Sequence, residues 1–93
     1  MAEETVRADV WLWRARFCKT RSLAARLIDE GRVRVVRAGQ ETRLDKASRP
    51  VRVGDALVFA FGGALHAVRI EALGLRRGPP AEARALYAPL EET

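Results

Sequence analysis

Arg14, Arg16, Lys19, Arg21 and Arg26 fall within thirteen consecutive positions, and Arg34, Lys46 and Arg49 follow further along the chain. Cations at this density do one kind of chemistry well. They bind phosphate, Arg through planar paired N–H donors and Lys as a point charge. Thr20, Ser22 and Ser48 stand among them as hydroxyl partners. The window 7–52 holds thirteen of the seventeen basic residues against five acids (Asp9, Asp29, Glu30, Glu41 and Asp45), a net +8, while the remainder carries −3. So uneven a charge attracts a polyanion such as nucleic acid.

Other chemistries lack materials. The chain has one His and one Cys. His66 sits in an alternating apolar stretch and reads as a partly exposed polar residue. Asp29-Glu30 read as solvated acids near a helix end, and Gly62-Gly63 as a hairpin turn rather than a phosphate cradle. No catalytic residue, metal site or cofactor is therefore expected, and 93 residues leave little material to enclose a pocket. Cys18 has no partner for a disulfide, which points to a reducing compartment. No stretch approaches the roughly 20 apolar residues of a membrane span, and residues 1–5 lack a signal-peptide core. The expectation is a cytoplasmic protein with no membrane partner.

The elements that must position the cations are legible in the periodicity. Asp9 is expected to cap a first helix over Val10–Cys18, with Ala8, Trp11, Leu12 and Ala15 facing the core and Trp13–Phe17 paired beside Arg14. Lys19–Ser22 makes a tight turn. A second helix runs to about Glu30 on a stripe of Leu23, Ala24, Leu27 and Ile28, ending at a left-handed Gly31. From Arg32 the period becomes two: Val33 and Val35, then Glu41–Leu44, Val51 and Val53, Leu57–Phe61 and Leu65–Leu73 read as strands. Turns fall at Ala38-Gly39, Gly54-Asp55 and Gly62-Gly63. Pro80 opens a final helix to about Ala88. The fold class is α+β. The second helix has no Asn or Gln for base edges, which favours RNA shape and phosphate over a major-groove reader. Two alternatives stay open: a DNA-binding helix–turn–helix, and an adaptor docking protein through Leu86, Tyr87 and Leu90.

Arg7-Ala8-Asp9 with Leu12, Lys19-Thr20-Arg21-Ser22 with Ala24, Leu27-Ile28, Gly31, Val33, Val35 and Val53-Gly54-Asp55 together resemble the S4 domain family. Trp11–Phe17 and the tail Arg76-Arg77-Gly78-Pro79 with Glu82-Ala83 and Leu86-Tyr87 resemble its heat shock protein 15 branch. The resemblance implies an S4-like αL motif, two helices and a small, mainly antiparallel sheet, over 6–61. Residues 62–75 supply a completing strand, and 76–93 a basic connector and helix. It implies a ribosome-associated stress factor whose partners are large-subunit ribosomal RNA and the large subunit, with peptidyl-tRNA as a further RNA partner. From the residues themselves a monomer without enzymatic activity is expected, with DNA as a weak partner. Its implied role is recycling free large subunits that carry a nascent chain. Carried onto this chain, RNA contact falls on Arg14, Arg16, Lys19, Thr20, Arg21, Ser22, Arg26, Arg34, Lys46, Ser48 and Arg49. Ala38-Gly39 replaces the family's usual Asn-Gly, and Ala47 stands where Pro is usual.

Overall fold

Both helices end in the same backbone device. The computed structural model describes residues 4–90. Its first helix, α1 (Ala8–Arg14), follows a two-residue strand, β1 (Val6–Arg7). At its end the Arg16 amide donates to the Trp13 carbonyl and the Phe17 amide to the Leu12 carbonyl, with Arg16 left-handed at φ +65°. The second helix, α2 (Arg21–Asp29), closes alike: the Gly31 amide donates to the Ile28 carbonyl and the Arg32 amide to the Leu27 carbonyl, with Gly31 at φ +77°. These are Schellman closures, which satisfy carbonyls the helix leaves orphaned. At Gly31 the closure uses a residue without strain. At Arg16 it forces a side-chain-bearing residue into a conformation that ordinarily costs about 1 kcal/mol or more.

Two expectations about α1 are corrected. It stops at Arg14 instead of Cys18, because the reversal at Arg16 breaks the ladder. Asp9 is also not the cap. It lies inside the first turn, buried, where its carboxylate takes a bidentate pair from Arg7 at 3.0 Å and accepts the Val10 amide at 2.8 Å. Arg7 occupies the cap position, and its side chain bonds to no amide of the first turn. Thr20 does cap α2: its Oγ1 accepts from the Leu23 amide at 3.0 Å.

Five antiparallel strands form one sheet in the order β3-β2-β5-β6-β7. They are β2 (Val33–Arg37), β3 (Gln40–Arg43), β5 (Ala56–Phe61), β6 (Ala64–Ile70) and β7 (Tyr87–Pro89); a short β4 (Pro50–Val51) pairs instead with β1, Val6 opposite Val51. Alternation decides which face is buried. Val33, Val35, Leu57, Phe59, Val68 and Ile70 turn inward against Trp11, Leu12, Ala24, Leu27 and Ile28 of the helices. Phe17 does not pair with Trp13 as expected. It packs edge-on to Phe59 with ring centroids 5.1 Å apart and lies 4.6 Å from Tyr87, below the helices.

The turns at Ala38-Gly39 and Gly62-Gly63 join β2 to β3 and β5 to β6, each with positive φ at both central residues. That is the turn geometry whose twist matches a hairpin's strands. Ala38 at φ +51° is strained, and it is exposed. Ala38→Asn is expected to stabilise the fold by about 0.5–1 kcal/mol, since Asn tolerates this region, and to raise the melting temperature by about 2–8 °C in calorimetry.

The C-terminal segment corrects the sequence reading again. Helix α3 (Pro80–Arg84) is one turn and ends well before Ala88. Tyr87–Pro89 instead extends beside β6, with Ile70 opposite Tyr87. Leu86 is buried, and its carbonyl takes the Glu71 and Ala72 amides at 2.8 and 3.2 Å. The residues that suggested a protein-docking face, Leu86 and Tyr87, are packed against the sheet and the aromatic cluster.

Candidate nucleic-acid interface

The exposed turn between α1 and α2 carries Lys19, Thr20, Arg21 and Ser22 at one end of α2. Its other end receives the irregular segment after β3: the Ala47 amide donates to Asp29 Oδ1 at 3.3 Å. The Asp9 and Ala8 amides bind the Ala47 and Arg49 carbonyls at 3.2 and 2.9 Å, so the start of α1 holds the same segment. Lys46 and Ser48, both exposed, are thereby fixed beside α2. Eight helical steps lead from Arg21 to Asp29, or about 12 Å of helix. Lys19 and Arg21 thus stand near the start of α2 and Lys46 near its end.

Ion pairs divide the predicted contacts. Lys19, Arg21, Arg26 and Lys46 make no ion pair within 4 Å of a described carboxylate, although Lys46 acts on neighbouring Asp45 through space. Arg34 is opposed by Glu41 at 3.3 Å and Arg49 by Asp45 at 2.7 Å, all half-exposed. The Arg49 guanidinium holds the Asp45 carboxyl well below its ordinary range, at about 2. Pairs so open to water are weakly held and exchange readily for phosphate. Arg26 lies one turn on from Ser22, on the same side of the helix, and lines a shallow depression with Leu23, Glu30, Arg32 and Phe61. Thr20 spends its hydroxyl oxygen on the cap.

Arg14 and Arg16 point elsewhere. Arg14 Nη1 donates to the Gly74 carbonyl at 2.8 Å, and Arg16 Nε to the Gly78 carbonyl at 2.6 Å. Both brace α1 against the segment after β6. Sequence reasoning missed Arg43, whose aliphatic stem covers Gly31: a Cβ there would meet its Cδ at 3.2 Å. Arg43 is exposed and, with Arg37 and Arg49, lines an open cleft of about 450 Å³ between the β2–β3 hairpin and the Asp45–Pro50 segment. It stands opposite Arg34 in the β2–β3 register, a pairing that the sequence alone does not give.

The remaining chemistry is inert. Cys18 is fully buried, and burial pushes its thiol up to about 11, so it stays protonated near neutrality, where the thiolate would be the nucleophile. His66 stacks on Phe59 at 5.1 Å. Among the described residues no group of three or more His, Cys, Asp and Glu side chains is placed to hold a metal ion, and no helix is long and apolar enough to cross a membrane.

Two helices packed on a small antiparallel sheet, with a cationic turn between them, define the class. The chain belongs to the S4 domain family, whose model matches residues 6–57. Within it the likeness is to heat shock protein 15. The Haemophilus influenzae heat shock protein 15 homolog is 42% identical over 94 residues, covering all of this chain and 67% of the relative. Heat shock protein 15 of Escherichia coli K12 is 40% identical over 88 residues, 95% of this chain and 60% of that protein. The chain thus spans about two thirds of the length of these relatives. A solved structure titled as trimeric Vibrio cholerae heat shock protein 15 superposes with a TM-score of 0.81 at 37% identity, covering 94% of this chain and 83% of that one.

Proposed function

We propose that the protein binds structured RNA, and that its target is ribosomal RNA of the large subunit. The observation that carries this reading is the set of exposed cations Lys19 and Arg21 at the start of α2 and Lys46 near its end, none ion-paired with a described carboxylate, beside a segment held by the Ala8, Asp9 and Ala47 amides. Cations without base-reading amides recognise phosphate and helical shape, which suits RNA better than sequence-specific DNA contact. Membership of the S4 domain family and likeness to heat shock protein 15 support the same reading. The proposed role is non-enzymatic: engagement of free large subunits that retain a nascent chain on tRNA, in the cytoplasm, as part of a stress response.

Co-sedimentation tests it. The protein is expected to travel with isolated large subunits in a sucrose gradient, to be displaced by structured RNA ahead of duplex DNA of equal length, and to be released by moderate salt. Failure to sediment with large subunits at low salt, or equal displacement by duplex DNA, would sink the reading.

A further inference from the structure

The end of α1 carries an aromatic ring that the core does not use. Trp11 and Trp13 are two residues apart on a helix, hence on roughly opposite sides. Trp11 is fully buried, and its indole N–H donates to the Ala72 carbonyl at 3.0 Å. Trp13 is half-buried, has no ring partner among the described residues, and its indole N–H has no acceptor there. Its one neighbour of note is a cation: the Arg77 guanidinium carbon lies 6.0 Å from the ring centroid. Among the described residues no carboxylate pairs with that guanidinium. Arg77 Nε donates to the Trp13 carbonyl at 3.1 Å, the same oxygen that takes the Arg16 amide.

Arg16 completes the arrangement. It is exposed, strained at φ +65°, and uses only its Nε internally, leaving both Nη groups without an acceptor among the described residues. Backbone strain of this sort gathers at working sites. Arg77 and the Arg16 amide meet at the Trp13 carbonyl, Arg14 braces the same helix end from Gly74, and the acid after Gly78, Glu82, is taken by Arg76 at 2.9 Å. A flat apolar ring in so cationic a setting suits a ligand that is flat on one side and anionic on the other.

We infer that Trp13, with Arg77 and Arg16, forms a stacking site for one unpaired nucleotide, separate in character from the phosphate-binding surface of α2. The base lies on the exposed part of the Trp13 ring, and the phosphate meets the free Nη groups of Arg16. A nucleotide within a duplex cannot enter, because its faces are covered by neighbouring bases. Lys19 is three residues from Arg16, so a single RNA reaches both sites when an unpaired end or bulge adjoins a helix. This inference rests on the RNA-binding reading above and adds a preference that reading does not contain.

The test compares a blunt RNA hairpin with the same hairpin bearing a short unpaired adenosine tail. The parent protein is expected to prefer the tailed RNA, with tryptophan fluorescence quenched by it and not by the blunt one. Trp13→Ala is expected to lose that preference, by about 5- to 100-fold for one stacked base, while blunt-hairpin affinity holds. Trp13→Phe, a milder change, is expected to retain the preference while losing the quenching, since Trp11 is sealed in the core. Equal weakening of both RNAs by Trp13→Ala would mark the ring as structural and overturn the inference. So would a parent that binds both hairpins equally, in which case the RNA-binding reading survives. A parent that binds neither RNA ends both.

Discussion

Replacing Lys19, Arg21 and Lys46 together with alanine is expected to lower affinity for structured RNA roughly a hundredfold near physiological salt, with the fold unchanged. Each of these cations is exposed and lacks a described acidic partner, so its removal costs the protein no internal ion pair. Each charge-assisted contact to phosphate at an exposed site contributes on the order of 1 kcal/mol, and three such contacts amount to about two decades of affinity. The second signature is the salt dependence. Every phosphate released from contact removes about 0.7–0.9 from the slope of log affinity against log salt, so the triple variant should flatten the slope by roughly 2–3. Filter binding across a salt series, with circular dichroism to verify the fold, measures both. An unchanged slope would place the RNA on another surface. Arg14→Ala acts differently: its guanidinium braces the Gly74 carbonyl, and its loss should show first as instability.

Asp55→Ala is expected to have the largest effect on stability, about 2–4 kcal/mol. The Asp55 side chain is 2% exposed and accepts Arg37 Nε at 2.9 Å and Nη2 at 2.7 Å. It also takes the Arg52 amide at 3.0 Å, closing the turn at Gly54, and its own carbonyl accepts the Ile70 amide at 2.8 Å. Arg37 Nη2 reaches the Pro50 carbonyl at 3.3 Å as well. One carboxylate therefore joins the end of β2 to the turn between β4 and β5. Its removal strips a part-buried amide and a half-buried guanidinium of their acceptor at once. In a domain of this size the melting temperature should fall by roughly 8–30 °C. Asp45→Ala, which breaks a pair exposed at both ends, is the control and should scarcely move the transition. A comparable shift in the two variants would refute the assignment of Asp55 as a buried anchor.

Much of the fold was legible because its signals are local. The stripe of Leu23, Ala24, Leu27 and Ile28, the left-handed Gly31 and the two hairpin turns each follow from spacing and turn chemistry within a few residues. The misreadings have two causes. Asp9 resembled a cap, but its carboxylate goes to neighbouring Arg7 and the Val10 amide. Arg14 resembled a free cation and Tyr87–Pro89 resembled helix, where the deciding partners lie far along the chain: the Gly74 carbonyl and the edge of β6. Local propensity could not anticipate them. The clustering of cations was legible from composition. Which of them are already spoken for by Glu41, Asp45 or Asp55 was not, because those pairings depend on strand register and on the path of the segment between β3 and β5.

The family match ends at residue 57, yet the sheet does not. Beyond that point β5 continues to Phe61, β6 covers its full length, and Ala72, Gly74 and Gly78 supply the carbonyls that hold Trp11, Arg14 and Arg16. The inherited motif is thus not a detachable cassette. Transplanting 6–57 into another protein would carry over the cationic turn but leave Phe59 and the whole of β6 behind, with Leu57 robbed of its partner Val68. Modularity here is set by where the backbone hydrogen bonds close, and they close only near Leu90, whose amide ends on the Ala67 carbonyl.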